Sequence, residues 1–182
     1  MARRFKDYYD ADWIALMEGK LVEPLGEGAA QTFAGDARRR LAAAGDPAFS
    51  ARQDLFAGLL SDHLPTDYVT ALSLLEAILG PPLERAEGMF THGWWLWPVG
   101  RYVEHHATRD AGATLRFTRE LTRRFTGEFA LRPLLAAQPD ETLAELSVWA
   151  ASDDVHVRRC ASECLRISLP WASRLMVAVE HF

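Results

Sequence analysis

"RRFTGEFALRPL" (123–134) and "RRCASECLRISL" (158–169) match at an offset of 35 residues in two arginines, a glutamate and a leucine. A period of that length belongs to stacked helix pairs, in which each unit covers the apolar face of its neighbour. Elsewhere apolar residues recur at three- and four-residue intervals, and no stretch alternates with period two between turn residues. The reading is therefore all-α: HEAT-like antiparallel helical repeats, an α-α superhelix or solenoid with a concave face.

Periodicity places helices at about 10–18, 28–44, 48–63, 66–79, 98–108, 112–132, 140–151, 154–167 and 171–181, with breaks at "GDP" (45–47), "GPP" (80–82), Pro133, Pro139 and Pro170. Pro65 and Pro170 are expected at the first position of their helices, and Asp153 or Asp154 as an N-cap. Between Gly80 and Gly100, "EGMFTHGWWLWPVG" is too rich in breakers for a regular helix and reads as a long connection with aromatic anchors. Trp94, Trp95 and Trp97 could line a cleft for a planar ligand, but aromatics of a helical protein belong more often to its core.

At 182 residues, 49% hydrophobic and 25% charged, the chain has the composition of one globular domain, residues 1–182. The start "MARRFKDYYDADW" lacks the apolar run of a signal peptide, and no later segment runs 18 residues without charge, so a cytoplasmic protein with no membrane partner is expected. Two cysteines, Cys160 and Cys164, exclude a disulfide-stapled scaffold. The net charge of -5 argues mildly against a nucleic-acid partner, yet from Arg109 to Arg132 six arginines face only Asp110, Glu120 and Glu128. A phosphate backbone responds to such a local patch more than to the total.

At 100° per residue, Val157, Cys160, Ala161, Cys164 and Ile167 form one stripe, with Arg159, Glu163 and Arg166 a quarter-turn away. The corresponding row one period earlier is Arg124, Glu128 and Arg132, which places two carboxylates at equivalent points of adjacent helices, each with arginines a turn away. On spacing alone these are ordinary helix ion pairs, worth a few tenths of a kcal/mol each. The functional alternative is that arginines hold phosphates and keep the carboxylates ionised, ready to stabilise a developing cation. His156, Cys160 and Cys164 lie at i, i+4 and i+8, but three ligands along one helix do not close a tetrahedron, so no metal is expected. "EHH" (104–106) lacks the spacing of a helical zinc motif.

The blocks "LWPVGRYVEHH" (96–106), "FTRELTRRFTGEFALRPLL" (117–135) and "HVRRCASECLRISLPWASRL" (156–175) resemble the AlkC-type DNA alkylation repair family, bacterial 3-methyladenine DNA glycosylases built from HEAT-like repeats. The resemblance covers about residues 55–176, with residues 1–45 matching only loosely and 46–182 read as the repeats. It implies catalytic carboxylates at Glu128 and Glu163 and base binding by Trp171. DNA contacts would fall to Arg124, Arg132, His156, Arg158, Arg159 and Arg166, with no cofactor. The implied activity is N-glycosylase excision of N3-methylated bases from duplex DNA. A noncatalytic helical-repeat module that binds DNA or protein is the alternative. A homodimer formed through "WASRLMVAVEHF" (171–182) is a further option.

Overall fold

The structure, a computed structural model, describes residues 4–177. Ten α-helices and no strand occur among the described residues, so the chain is all-α. It groups into two compact units, residues 1–78 and 79–182.

In the first unit a 3-10 turn (Phe5–Tyr8) leads to α1 (Ala11–Leu25), α2 (Glu27–Ala44), α3 (Phe49–His63) and α4 (Tyr68–Ile78). Asp10 caps α1 by accepting from the Asp12 N–H at 2.9 Å. α1 runs seven residues past its expected end, through Pro24, and stops at Gly26, whose φ of +85° suits a residue without Cβ. The interior is aromatic: the Trp13 and Phe56 rings meet at 4.1 Å, with Met17, Phe33, Leu59 and Leu60 fully buried around them. Asp36 draws hydrogen bonds from Arg39, Arg40 and the His63 ring. Pro65 does not open α4; Asp67 does, accepting from the Thr70 N–H at 2.9 Å and the Thr70 hydroxyl at 2.5 Å.

The second unit begins with irregular chain and the short α5 (Met89–His92). It continues through a 3-10 turn (Trp94–Leu96), α6 (Trp97–His106) and a second such turn (Ala107–Arg109). The last four helices are α7 (Ala111–Thr122), α8 (Glu128–Ala137), α9 (Pro139–Ala150) and α10 (Val155–Glu163). Trp95 and Trp97 are buried, as core anchors would be. The irregular stretch is held by long-range bonds. The Leu83 N–H donates to the Arg123 carbonyl at 2.9 Å, Arg124 Nε to the Gly80 carbonyl at 2.7 Å, and His156 Nε2 lies 2.7 Å from the Arg85 carbonyl. Leu131, Leu135, Leu146, Trp149, Val157, Cys160, Cys164 and Leu175 form one core. Each buried leucine there stabilises the fold by about 1.5–3 kcal/mol relative to exposure.

Three further expectations need correction. The helix expected over 112–132 is two helices, separated at 123–127. Pro133 does not break the chain but lies inside α8, where the missing hydrogen bond is offset by burial of Leu131, Leu134 and Leu135. The helix expected over 171–181 is absent from residues 171–176, which form turns and irregular chain, and residues 178–182 lie outside the described residues. No helix among the described residues is long and apolar enough to cross a membrane.

Candidate functional site

The two glutamates matched by the 35-residue offset do not occupy equivalent places. Glu128 is the first residue of α8, whereas Glu163 is the last residue of α10. Arg124 lies in the turn before α8, so the row Arg124, Glu128, Arg132 is not the face of a single helix. The ion pairs change accordingly. Arg159, one turn before Glu163, reaches across to Glu128 at 3.4 Å, and Glu163 pairs with Arg166 at 3.1 Å.

Glu128 is buried at 5% exposure, and its place at a helix N-terminus favours an anion through the oriented peptide dipoles. Gly127 makes its approach feasible. A Cβ there would lie 2.9 Å from the Thr118 methyl, 3.1 Å from the Thr118 carbonyl oxygen and 3.1 Å from the Thr122 Cβ. The Thr122 hydroxyl donates to the His156 carbonyl at 3.4 Å and lies 3.5 Å from Arg159, so it joins α7 to α10 beside the Glu128–Arg159 pair. Spacing gives no hint of Thr122, since its role depends on which helix packs against α7. Below the pair, burial pushes the Cys160 thiol up to about 12, and the Glu128 carboxylate adds to the shift. Burial raises Cys164 as well, so both cysteines are packing groups. Among the described residues no cluster of His, Cys, Asp and Glu could hold a metal ion.

Asp154 caps α10, accepting from the His156 N–H at 2.9 Å, and also pairs with Arg123 at 3.0 Å. Burial would raise its carboxyl, but the Arg123 hydrogen bond and the cap outweigh this and hold it below the usual range. Glu120 behaves alike: burial opposes the charge, and hydrogen bonds from Arg124 and Arg123 override it.

The expected DNA-contacting residues divide by exposure. Arg158 and Arg166 are exposed, the first donating to the Ser152 carbonyl at 2.6 Å. Arg159 is a quarter exposed. Arg124 is turned inward onto the Gly80 and Glu120 carbonyls and the Glu120 carboxylate. His156 and Arg132 are buried, and both are engaged by backbone carbonyls, His156 Nε2 by that of Arg85. Arg132 donates to the carbonyls of Cys164 (3.4 Å), Arg166 (2.8 Å), Ile167 (3.2 Å) and Ser173.

Trp171 lies in the loop after α10 with φ +62°, a left-handed backbone that bulky residues rarely adopt. The residue is 55% exposed, and its ring meets Trp97 edge to face, with centroids 5.5 Å apart. Trp97 in turn contacts Phe125 and Phe129 at 5.5 and 5.4 Å, and Phe125 contacts the exposed Phe90 at 5.6 Å. An aromatic row therefore runs from the turn before Glu128 to the tip of the loop after α10.

This all-α chain thus sets a buried carboxylate at a helix start, pairs it with an arginine and carries a half-exposed tryptophan in the loop after α10. No family model matches the chain. Its fold is that of part of a solved structure, the Pseudomonas fluorescens alkylpurine DNA glycosylase AlkC bound to DNA containing an abasic site analog. The TM-score is 0.80 at 24% identity, over 100% of this chain and 50% of that one. A Bacillus subtilis protein named YhaZ, described as uncharacterized, is 32% identical over 116 residues, 64% of this chain and 30% of its own length. The chain thus spans half or less of the proteins it matches.

Proposed function

We propose that this chain acts in DNA alkylation repair as an N-glycosylase, releasing N-alkylated bases, N3-methylated purines above all, from duplex DNA. The observation that carries the reading is the buried Glu128 carboxylate, seated at the start of α8 and paired with Arg159, in a fold shared with a DNA glycosylase. It is read here as HEAT-like repeats of a single cytoplasmic domain.

A purine alkylated on a ring nitrogen carries positive charge and departs as a neutral molecule, so a general acid is not needed. The remaining task is electrostatic. A carboxylate beside the sugar stabilises oxocarbenium character and orients or deprotonates the attacking water, a role assigned to Glu128 and, from the end of α10, to Glu163. Trp171 offers an exposed aromatic face to the cationic base. Arg158 and Arg166, both exposed, are the best placed for phosphates. Phosphate bound at Arg166 would compete with Glu163 for that guanidinium, which leaves the carboxylate available to the sugar.

Release of 3-methyladenine from methylated duplex DNA tests the reading. Glu128→Gln should slow single-turnover release about 10²–10³-fold, the scale of losing one preorganised charge interaction in an active site. Glu163→Gln should also slow it. No release by the folded parent protein would refute the activity, and unchanged release in both variants would refute the assignment. A second reading, a noncatalytic DNA-binding module, is favoured by the separate pairing of the two glutamates. It predicts salt-sensitive affinity without turnover.

A further inference from the structure

The loop that carries Trp171 is closed on itself. The Leu175 N–H donates to the Ile167 carbonyl at 2.9 Å and the Ala172 N–H to the Leu169 carbonyl at 3.3 Å, while buried Leu169 and Leu175 anchor the two limbs. Across its neck lies one side chain from another helix. Arg132, one turn after Glu128 in α8, donates to Arg166 and Ile167 on the incoming limb and to Ser173 on the outgoing limb. The same guanidinium also reaches the Cys164 carbonyl just past α10, where unpaired carbonyls gather at a helix end and favour a cation. Arg132 is 4% exposed. A planar fork with donors pointing several ways can bridge two chain segments in this manner, and a lysine ammonium cannot reproduce it.

We propose that Arg132 is a positioning residue of the site: it clamps both limbs of the 164–175 loop to α8 and so sets the presentation of Trp171 relative to Glu128. The proposal deepens the glycosylase reading and rests on it for the role of Trp171, but the clamp itself is a separate claim. Two observations favour a clamp over a phosphate contact. The guanidinium donates to four carbonyls, all of one loop, and that loop holds an aromatic residue in a backbone conformation that must be imposed from outside. The same bonds place the backbone of Arg166, so the partner of Glu163 is fixed by the same side chain.

Arg132→Lys and Arg132→Gln, checked for folding by circular dichroism, would be compared with Trp171→Phe and with the double variants. The expected result is a drop in 3-methyladenine release of about ten- to a hundredfold, the scale of misplacing a binding group by an ångström. The combined Arg132→Lys, Trp171→Phe variant should release base no more slowly than the worse single variant, and the salt dependence of DNA affinity should not change. Fluorotryptophan labelling gives a readout independent of turnover: the resonance lost in Trp171→Phe should shift or broaden in Arg132→Lys. In the unmodified protein, the Arg132 guanidinium should show distinct, slowly exchanging N–H resonances. Independent effects of Arg132 and Trp171, or a salt slope reduced by about one in the variants, would overturn the clamp, the latter because it marks a phosphate contact. A freely rotating Arg132 guanidinium would overturn it even where every variant fails to fold. If the parent releases no base, the glycosylase reading fails, and the two resonance measurements still decide the clamp.

Discussion

Replacing Gly127 by alanine puts a methyl group where α7 already is. The new carbon would lie 2.9 Å from the Thr118 methyl and 3.1 Å from both the Thr118 carbonyl oxygen and the Thr122 Cβ. Carbon atoms settle at about 3.5–4.0 Å, so α7 and the start of α8 must part by roughly half an ångström or more. Neither threonine can swing aside, because both are fully buried. Overpacking of this kind costs about 1–3 kcal/mol. The φ of -112° suits alanine, so the backbone adds no strain, and the stiffer unfolded chain returns about 0.4–1 kcal/mol. The net expectation is a loss of about 1–2 kcal/mol. Gly19 in α1 is the opposite case: it is exposed in mid-helix, and nothing lies within 4 Å of the added carbon. Gly19→Ala should therefore stabilise by about 0.5–1 kcal/mol. Urea midpoints and thermal melts followed by circular dichroism read both changes, each kcal/mol being about 2–4 °C for a chain of this size. A Gly127→Ala protein as stable as its parent, or a Gly19→Ala protein less stable, would refute the reasoning from close approach.

Hydrogen bonds from Arg40 and His63 hold the Asp36 carboxyl below its ordinary value, so its contribution to stability is full above about pH 4 and is lost as pH falls through the lowered folded value. Asp36→Asn should thus be less stable than the parent at pH 7, with the gap closing towards pH 3; a constant gap in urea midpoints would contradict this. With burial raising both thiols, Cys160 to about 12, native protein at pH 8 should label with iodoacetamide only as fast as it opens, and rapid labelling of either cysteine would show the burial to be wrong.

The all-α class was legible because apolar spacing acts within each helix, and so was a cap from Asp153 or Asp154, since the side chain needs only its next few residues; the structure uses Asp154. What failed depended on partners distant in sequence. "TRRFTGEF" has helical spacing on both sides, and nothing local says that α7 stops at Thr122 so that Gly127 can slip against Thr118. The 35-residue match found real arginines and glutamates but attached Arg159 to the glutamate one turn away rather than to Glu128 across the helix packing. Arg132 illustrates the same limit: its letter does not say whether the guanidinium is exposed or buried, and its burial against the loop after α10 depends on carbonyls more than 30 residues away. The aromatic anchors fared better, because three tryptophans in four residues are hard to place anywhere but partly in a core.

The three bonds that tie residues 80–85 to Arg123, Arg124 and His156 also bear on how the second unit assembles. They join residues 40, 44 and 71 positions apart. Its helices can form within about a microsecond from local contacts, but closing chain segments of this length costs entropy before any bond rewards it. The cap of α10 and the strap at Arg85 both converge on His156, so the strap can lock only after α10 has docked. The helical skeleton should accordingly appear early in refolding, and the protection of residues 80–93 late.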